Sequence, residues 1–73
     1  MLAPHLTKPT IKYHIRYYLW LMGGWVPAGA LEEQGRNWRA RPSTIGRRAR
    51  ELYQEGKIER MIENRTVRYR SIQ

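Results

Sequence analysis

Apolar positions recur along this chain with two different periods. From Thr10 onward, Ile11, Ile15, Tyr18, Leu19 and Met22 follow i, i+4, i+7, i+8 and i+11, which is one face of a helix over about 10–22. Gly23-Gly24 ends that helix, because glycine takes the left-handed cap conformation without a side-chain clash. Trp25-Val26 is then a short extended piece, since Pro27 pushes Val26 out of the helical region. Pro27, at a first helical position, opens a second helix through Ala28, Ala30, Leu31 and Glu32 to about Gln34, and Gly35 closes it. Gly35 to Pro42 is a basic connector carrying Trp38. Pro42 or Ser43 opens a third helix, whose apolar positions Ile45, Ala49, Leu52 and Tyr53 share a face, and Gly56 stops it.

Beyond Gly56 the period changes to two. Lys57–Ile62 and Thr66–Ile72 are strand-like runs joined by Glu63-Asn64-Arg65, a hairpin in which Asn64 tolerates positive φ. With Asn64-Arg65 as a two-residue turn, Ile62 faces Val67, Arg60 faces Tyr69 and Ile58 faces Ser71. The opposite side then pairs Glu59 with Arg70. Arginine is a poor second turn residue, so a three-residue loop is the alternative. Met1 to Pro9 carries Pro4 and Pro9 without periodicity and is expected to be an N-terminal arm, with a single domain over 10–73. The order helix, short strand, helix, helix, hairpin is an α+β domain, mostly α.

Charge changes this picture from architecture to partner. The 73 residues hold 14 basic and 6 acidic side chains, net +8. Between Arg36 and Arg50 lie Arg36, Arg39, Arg41, Arg47, Arg48 and Arg50 with no acid among them. Arginine forks match phosphate and guanine edges, so a polyanion, nucleic acid before anionic lipid, is the expected partner. The absence of cysteine excludes disulfide and zinc-thiolate frameworks, and a cytoplasmic setting is expected. No signal peptide or membrane span is expected, because Tyr17–Met22, the longest dense apolar run, is far short of the ~20 residues a bilayer needs. Catalysis finds no support: there is no Asp and no Cys, and His5 and His14 lack an acid, thiol or ligand partner. No enzyme activity, metal, cofactor, membrane contact or small-molecule ligand is therefore expected.

The run from Ser43 to Arg60, followed by Arg65-Thr66-Val67-Arg68-Tyr69-Arg70, resembles the recognition helix and wing of winged helix-turn-helix DNA-binding proteins. The matching positions are Thr44, Ile45, Arg48, Leu52, Glu55, Gly56, Ile58, Arg60, Val67 and Tyr69. The resemblance spans about 60 residues and is sharpest over the last 30. It implies a three-helix domain with a short strand after the first helix, a hairpin wing, and binding to double-stranded DNA as a small transcriptional regulator. A bare domain of this size fits a viral, phage or plasmid regulator. Two features depart from the pattern. Ala49 stands where the family has a large aliphatic residue, so Trp25 or Trp38 is expected to supply the missing volume. The connector before Pro42 is longer than the tight turn of a helix-turn-helix.

A major groove admits one helix, whose exposed face reaches base edges. With Ile45, Ala49 and Leu52 inward, Ser43, Thr44, Arg47 and Arg48 are expected to point outward as direct contacts. Arg50 is expected nearer the flank, on a phosphate or in an intrahelical pair, and Glu51 and Glu55 are expected to ion-pair away from the DNA. Arg36, Arg39 and Arg41 are expected along the backbone, and Asn64, Arg65, Thr66 and Arg68 at the wing. Tyr13, Tyr17 and Trp20 form a second stripe on the first helix, beyond what one small core needs, and predict a homodimer through that face, the alternative being that Trp25, Trp38 and residues 1–9 fold over it. The alternatives are a protein-interaction module and a binder of structured RNA or a replication origin. Six arginines in fifteen residues favour nucleic acid over protein.

Overall fold

In the computed structural model, which describes residues 10–72, three helices pack against one face of a small antiparallel sheet. The expected arm, residues 1–9, lies outside the described residues. Thr10 caps the first helix, α1 (Ile11–Met22), its Oγ1 accepting the Tyr13 N–H at 3.1 Å. Gly23 ends α1 at φ 74°, donating its N–H to the Leu19 carbonyl at 3.1 Å. Ile15 and Leu19 are fully buried and Ile11 and Tyr18 pack beside them, but Met22 is 56% exposed. Met22 was expected on the core face; it lies in the last turn, beyond the end of the core.

Strand β1 (Val26–Pro27) pairs with Tyr69 and Arg68, so Pro27 ends a strand instead of opening the helix from inside. Its ψ of 144° is extended, and it caps α2 (Ala28–Gly35) from the preceding position. As an edge residue it withholds no hydrogen bond the sheet needs.

Gly35 corrects a second expectation. It remains inside the helix, and the chain continues through a 3₁₀ turn, Arg36–Trp38, to Arg39, which takes the left-handed conformation at φ 58°. The Ala40 N–H reaches back to the Gly35 carbonyl at 3.0 Å and the Arg39 N–H to Arg36 at 3.1 Å. The long connector is thereby wound into a compact turn. Glycine is needed at position 35 because a Cβ there would lie 2.5 Å from Ile45 Cγ1 and 2.8 Å from its Cδ1.

Helix α3 (Pro42–Gln54) opens on Pro42, with Arg41 extended before it at ψ 152°. It ends in a double cap: the Gly56 N–H donates to the Tyr53 carbonyl at 3.0 Å and the Lys57 N–H to the Leu52 carbonyl at 2.9 Å. Gly56 at φ 77° makes that closure possible and turns the chain into β2 (Ile58–Glu63).

The hairpin of β2 and β3 (Thr66–Ser71) has the register expected from its alternation. Ile62 pairs with Val67, Arg60 with Tyr69, Ile58 with Ser71 and Glu59 with Arg70. Asn64 and Arg65 both have positive φ, 51° and 64°, which makes a two-residue turn of the mirror-image kind that matches strand twist. The sheet order is β1-β3-β2.

One buried cluster joins every element: Ile15 and Leu19 of α1, Val26 of β1, Leu31 of α2, Ile45, Ala49 and Leu52 of α3, Ile58 of β2 and Tyr69 of β3. Tyr53, expected inward, is 45% exposed on the flank of α3. Neither tryptophan fills the space beside Ala49. Trp38 stacks on His14 with ring centroids 5.2 Å apart and meets Tyr18 edge-on, at the margin of the core. Trp25 lies 4.4 Å from the Arg70 guanidinium carbon, between ring centroid and cation. Part of the volume at Ala49 is instead left as a cleft of about 200 Å³ between α2, α3 and the hairpin, with Ala28, Leu31, Gly46 and Val67 in its wall.

Gly35→Ala is expected to destabilise the fold by about 1–3 kcal/mol, the range for overpacking a close contact. Urea unfolding of Gly35→Ala, Ile45→Ala and the double variant checks the cause: relief of the clash makes the double variant's loss smaller than the sum, and strict additivity would rule the clash out.

Candidate nucleic-acid interface

Helix α3 divides into four strips, because successive side chains turn by about 100°. Ile45, Ala49 and Leu52 face the core, each at most 1% exposed. Ser43, Arg47, Arg50 and Gln54, spaced i, i+4, i+7 and i+11, are exposed on the side away from it. Gly46 and Tyr53 lie toward the hairpin, where the Arg60 guanidinium carbon sits 5.8 Å from the Tyr53 ring centroid. Thr44, Arg48, Glu51 and Glu55 lie toward α1.

That last strip changes two expected contacts. Thr44 and Arg48 are half-buried, and they share the α1-facing flank instead of the outward face. Arg48 Nη1 donates to Glu51 Oε1, which also lies 3.4 Å from the Lys12 ammonium of α1. Lys12 Nζ in turn donates to Glu55 Oε2 at 2.7 Å. Glu51 and Glu55, as expected, face away from the exposed strip and pair. Arg50 makes no such pair. Its guanidinium runs back along the helix, with Nη1 3.7 Å from where a Cβ on Gly46 would sit. Arg48 lies about one residue's rotation from the outward strip, on the helix flank.

The six glutamates are all placed, and five of them hold a cation. Besides Glu51 and Glu55, Glu59 Oε1 accepts Arg70 Nε at 2.8 Å, Glu63 lies 4.0 Å from Arg68 Nε and Glu33 lies 3.6 Å from Arg36. Glu32 lines the cleft beside Ala49. These pairs sit on the α1–α3 flank, the outer face of the hairpin and the end of α2. Among the described residues, Arg16, Arg39, Arg41, Arg47, Arg50, Lys57 and Arg65 are exposed with no carboxylate at ion-pair distance.

Four of those, Arg39, Arg41, Arg47 and Arg50, belong to α3 and the turn that leads into it. Arg65 stands with Asn64 at the exposed hairpin tip, while Thr66 and Arg68 are half-buried on the strand behind it. Arg36 is exposed in the 3₁₀ turn beside Glu33.

Arg60 was not singled out as a site residue. It lies on the inner face of the hairpin opposite Tyr69, lines the cleft with Arg50, and its Nε is shielded from solvent with no acceptor. The alternation in the hairpin places Arg60 beside Ile58 and Ile62 on that face, so the signal was present in the register.

Tyr13, Tyr17 and Trp20 lie on the side of α1 away from Ile15 and Leu19. Among the described residues no three metal-ligating side chains gather closely enough to hold an ion, and no helix is long and apolar enough to cross a membrane. Comparison of the chain with protein-family models, curated proteins and solved structures found no match.

The hydrogen bond from Arg48 holds the Glu51 carboxyl below its ordinary value of 4.5, and the hydrogen bond to Glu55 lifts Lys12 above 10.5. The stabilisation from Glu51 is therefore complete above pH 4.5 and fades as pH falls through the lower folded value. That from Lys12 is complete below pH 10.5 and fades as pH rises past the folded value. Glu51→Gln is expected to flatten the acid side of the stability profile while leaving its shape above pH 4.5 unchanged. Urea midpoints for both proteins between ~pH 3 and 7 check this; an unchanged acid limb would show that the pair stabilises nothing.

Proposed function

We propose that this chain binds double-stranded DNA in the manner of a winged helix-turn-helix protein and acts as a small transcriptional regulator. Helix α3 enters the major groove and the hairpin tip lies against the neighbouring backbone. The observation that carries this is the segregation of charge around α3: its acids are tied to Lys12 and Arg48 on one flank, and Arg47 and Arg50 stand exposed and unpaired on the outward strip.

A helix of 13 residues is about 20 Å long, and a groove about 12 Å wide takes such a helix with its outward strip against the base edges. Ser43 and Arg47 occupy the end nearest the start of α3, where side chains of a recognition helix reach furthest in. Arg39 and Arg41, just before that start, suit phosphates on the groove's rim. Arg65 extends the basic surface to the hairpin tip. Arg48 takes the supporting role of holding Glu51 and, through it, the α1–α3 flank.

Arg47→Ala combined with Arg50→Ala is expected to lower the slope of log affinity against log salt by about 1.8, at roughly 0.9 per lost phosphate contact, or to flatten base preference if guanine is the target. Arg48→Ala is expected to weaken stability and leave that slope unchanged. Fluorescence anisotropy on random duplex DNA across a salt series, with duplex RNA as competitor, checks both. Duplex RNA displacing the DNA at equal concentration would replace DNA with RNA as the partner.

Arg65→Gly separates stability from binding at the hairpin tip. Glycine relieves a left-handed arginine, a conformation that costs roughly 1 kcal/mol, so the variant should be as stable as the parent or more so while binding DNA more weakly. A variant that gains stability and keeps full affinity would remove Arg65 from the interface.

A further inference from the structure

The cleft beside Ala49 gathers three charges that the fold keeps apart. Its floor is apolar: Leu31 of α2, Ile45 and Ala49 of α3 and Tyr69 of β3 are each at most 3% exposed. Glu32 joins it from α2, Arg50 from α3 and Arg60 from β2. Each helix supplies a small residue, a core residue and a charge at the spacing i, i+3, i+4: Ala28, Leu31 and Glu32 on α2, and Gly46, Ala49 and Arg50 on α3. Among the described residues Glu32 has no cation at ion-pair distance, and neither Arg50 nor Arg60 has a carboxylate. Arg60 is half-buried, its guanidinium carbon 5.8 Å from the Tyr53 ring centroid and its Nε shielded from solvent without an acceptor. A donor in that state lacks the hydrogen bond that buried polar groups ordinarily make.

We propose that this cleft binds a small zwitterion, an α-amino acid with a branched aliphatic side chain. Its carboxylate lies against the Arg60 guanidinium with Arg50 closing over it, its ammonium meets Glu32, and its side chain rests on the apolar floor. The arginine forks suit a carboxylate, and Glu32 accepts from the ammonium.

Volume selects the size of the ligand. At about 200 Å³ the cleft exceeds the ~150 Å³ that holds one benzene and falls short of the ~300 Å³ at which pockets for drug-sized molecules begin. Charge selects the head group. A plain carboxylate or phosphate sets a second negative charge beside Glu32, and a plain amine sets a third positive charge beside Arg50 and Arg60. A molecule carrying both signs on one carbon answers all three side chains. The floor selects the rest, since each methylene it covers adds to affinity.

Titration of the whole isotope-labelled chain with L-leucine, followed in amide NMR spectra, tests this. Saturable shifts are expected at Gly46, Ala49, Arg60 and Val67, half complete near ~1 mM, as suits so small a ligand. Isocaproate, which lacks the ammonium, and isoamylamine, which lacks the carboxylate, are expected to bind about tenfold more weakly or worse. Arg60→Gln should weaken leucine by a similar factor. Glu32→Gln should weaken leucine but strengthen isocaproate, a reversal that loss of folding cannot produce. No saturable shift up to ~20 mM, isocaproate matching leucine on the parent, or full leucine affinity in Arg60→Gln overturns the proposal. No DNA enters the experiment, so its outcome is independent of the DNA-binding reading.

Discussion

The close approach of α2 to α3 at Gly35 and Ile45 is the constraint on which the rest of this structure depends. With no Cβ at position 35, the Ile45 side chain enters the space where one would be and packs directly on the α2 backbone. The Arg36–Trp38 turn and the left-handed Arg39 follow from it, because the chain must leave a helix that is already in contact and start another at once. What α3 shows to solvent is set by that contact.

Charge is partitioned by the same packing. The α1–α3 contact brings Lys12 within reach of both Glu51 and Glu55, and the hairpin register brings Glu59 to Arg70. Five of the six acids find a cation on surfaces that the fold has turned away from the outward strip, and the sixth, Glu32, lines the cleft beside Ala49. Exposed pairs of this kind are individually weak, screened by salt and penalised by side-chain entropy. Their larger consequence is subtractive: they remove negative potential from around α3 and leave arginine there unopposed.

Different parts of the chain were legible to different degrees, for physical reasons that can be named. The hairpin was clearest, since period-two alternation and a residue tolerant of positive φ together specify a register, and all four expected pairings of Ile58, Glu59, Arg60 and Ile62 are present. Helix α1 was clear in its extent, but not in its last turn, where Met22 outruns the core. The basic connector was obscure. Gly35 looked like a stop because glycine usually caps, and only the presence of Ile45 across the helix interface explains why it stays helical. Pro27 looked like a helical first residue, and only the distant Tyr69 and Arg68 reveal it as a strand.

The local pattern by itself determined the element types, their order, the hairpin register, the three inward residues of α3 and the excess of arginine around them. These follow from periodicity, glycine and proline geometry, and formal charge, all of which act within a few residues. Tertiary structure alone decided which arginines are free. Whether Arg48 or Arg50 faces solvent depends on a rotation of one strip about the α3 axis, and whether Arg48 is paired depends on Glu51 being held by Lys12 from another helix. Those choices are made by contacts between residues far apart in sequence.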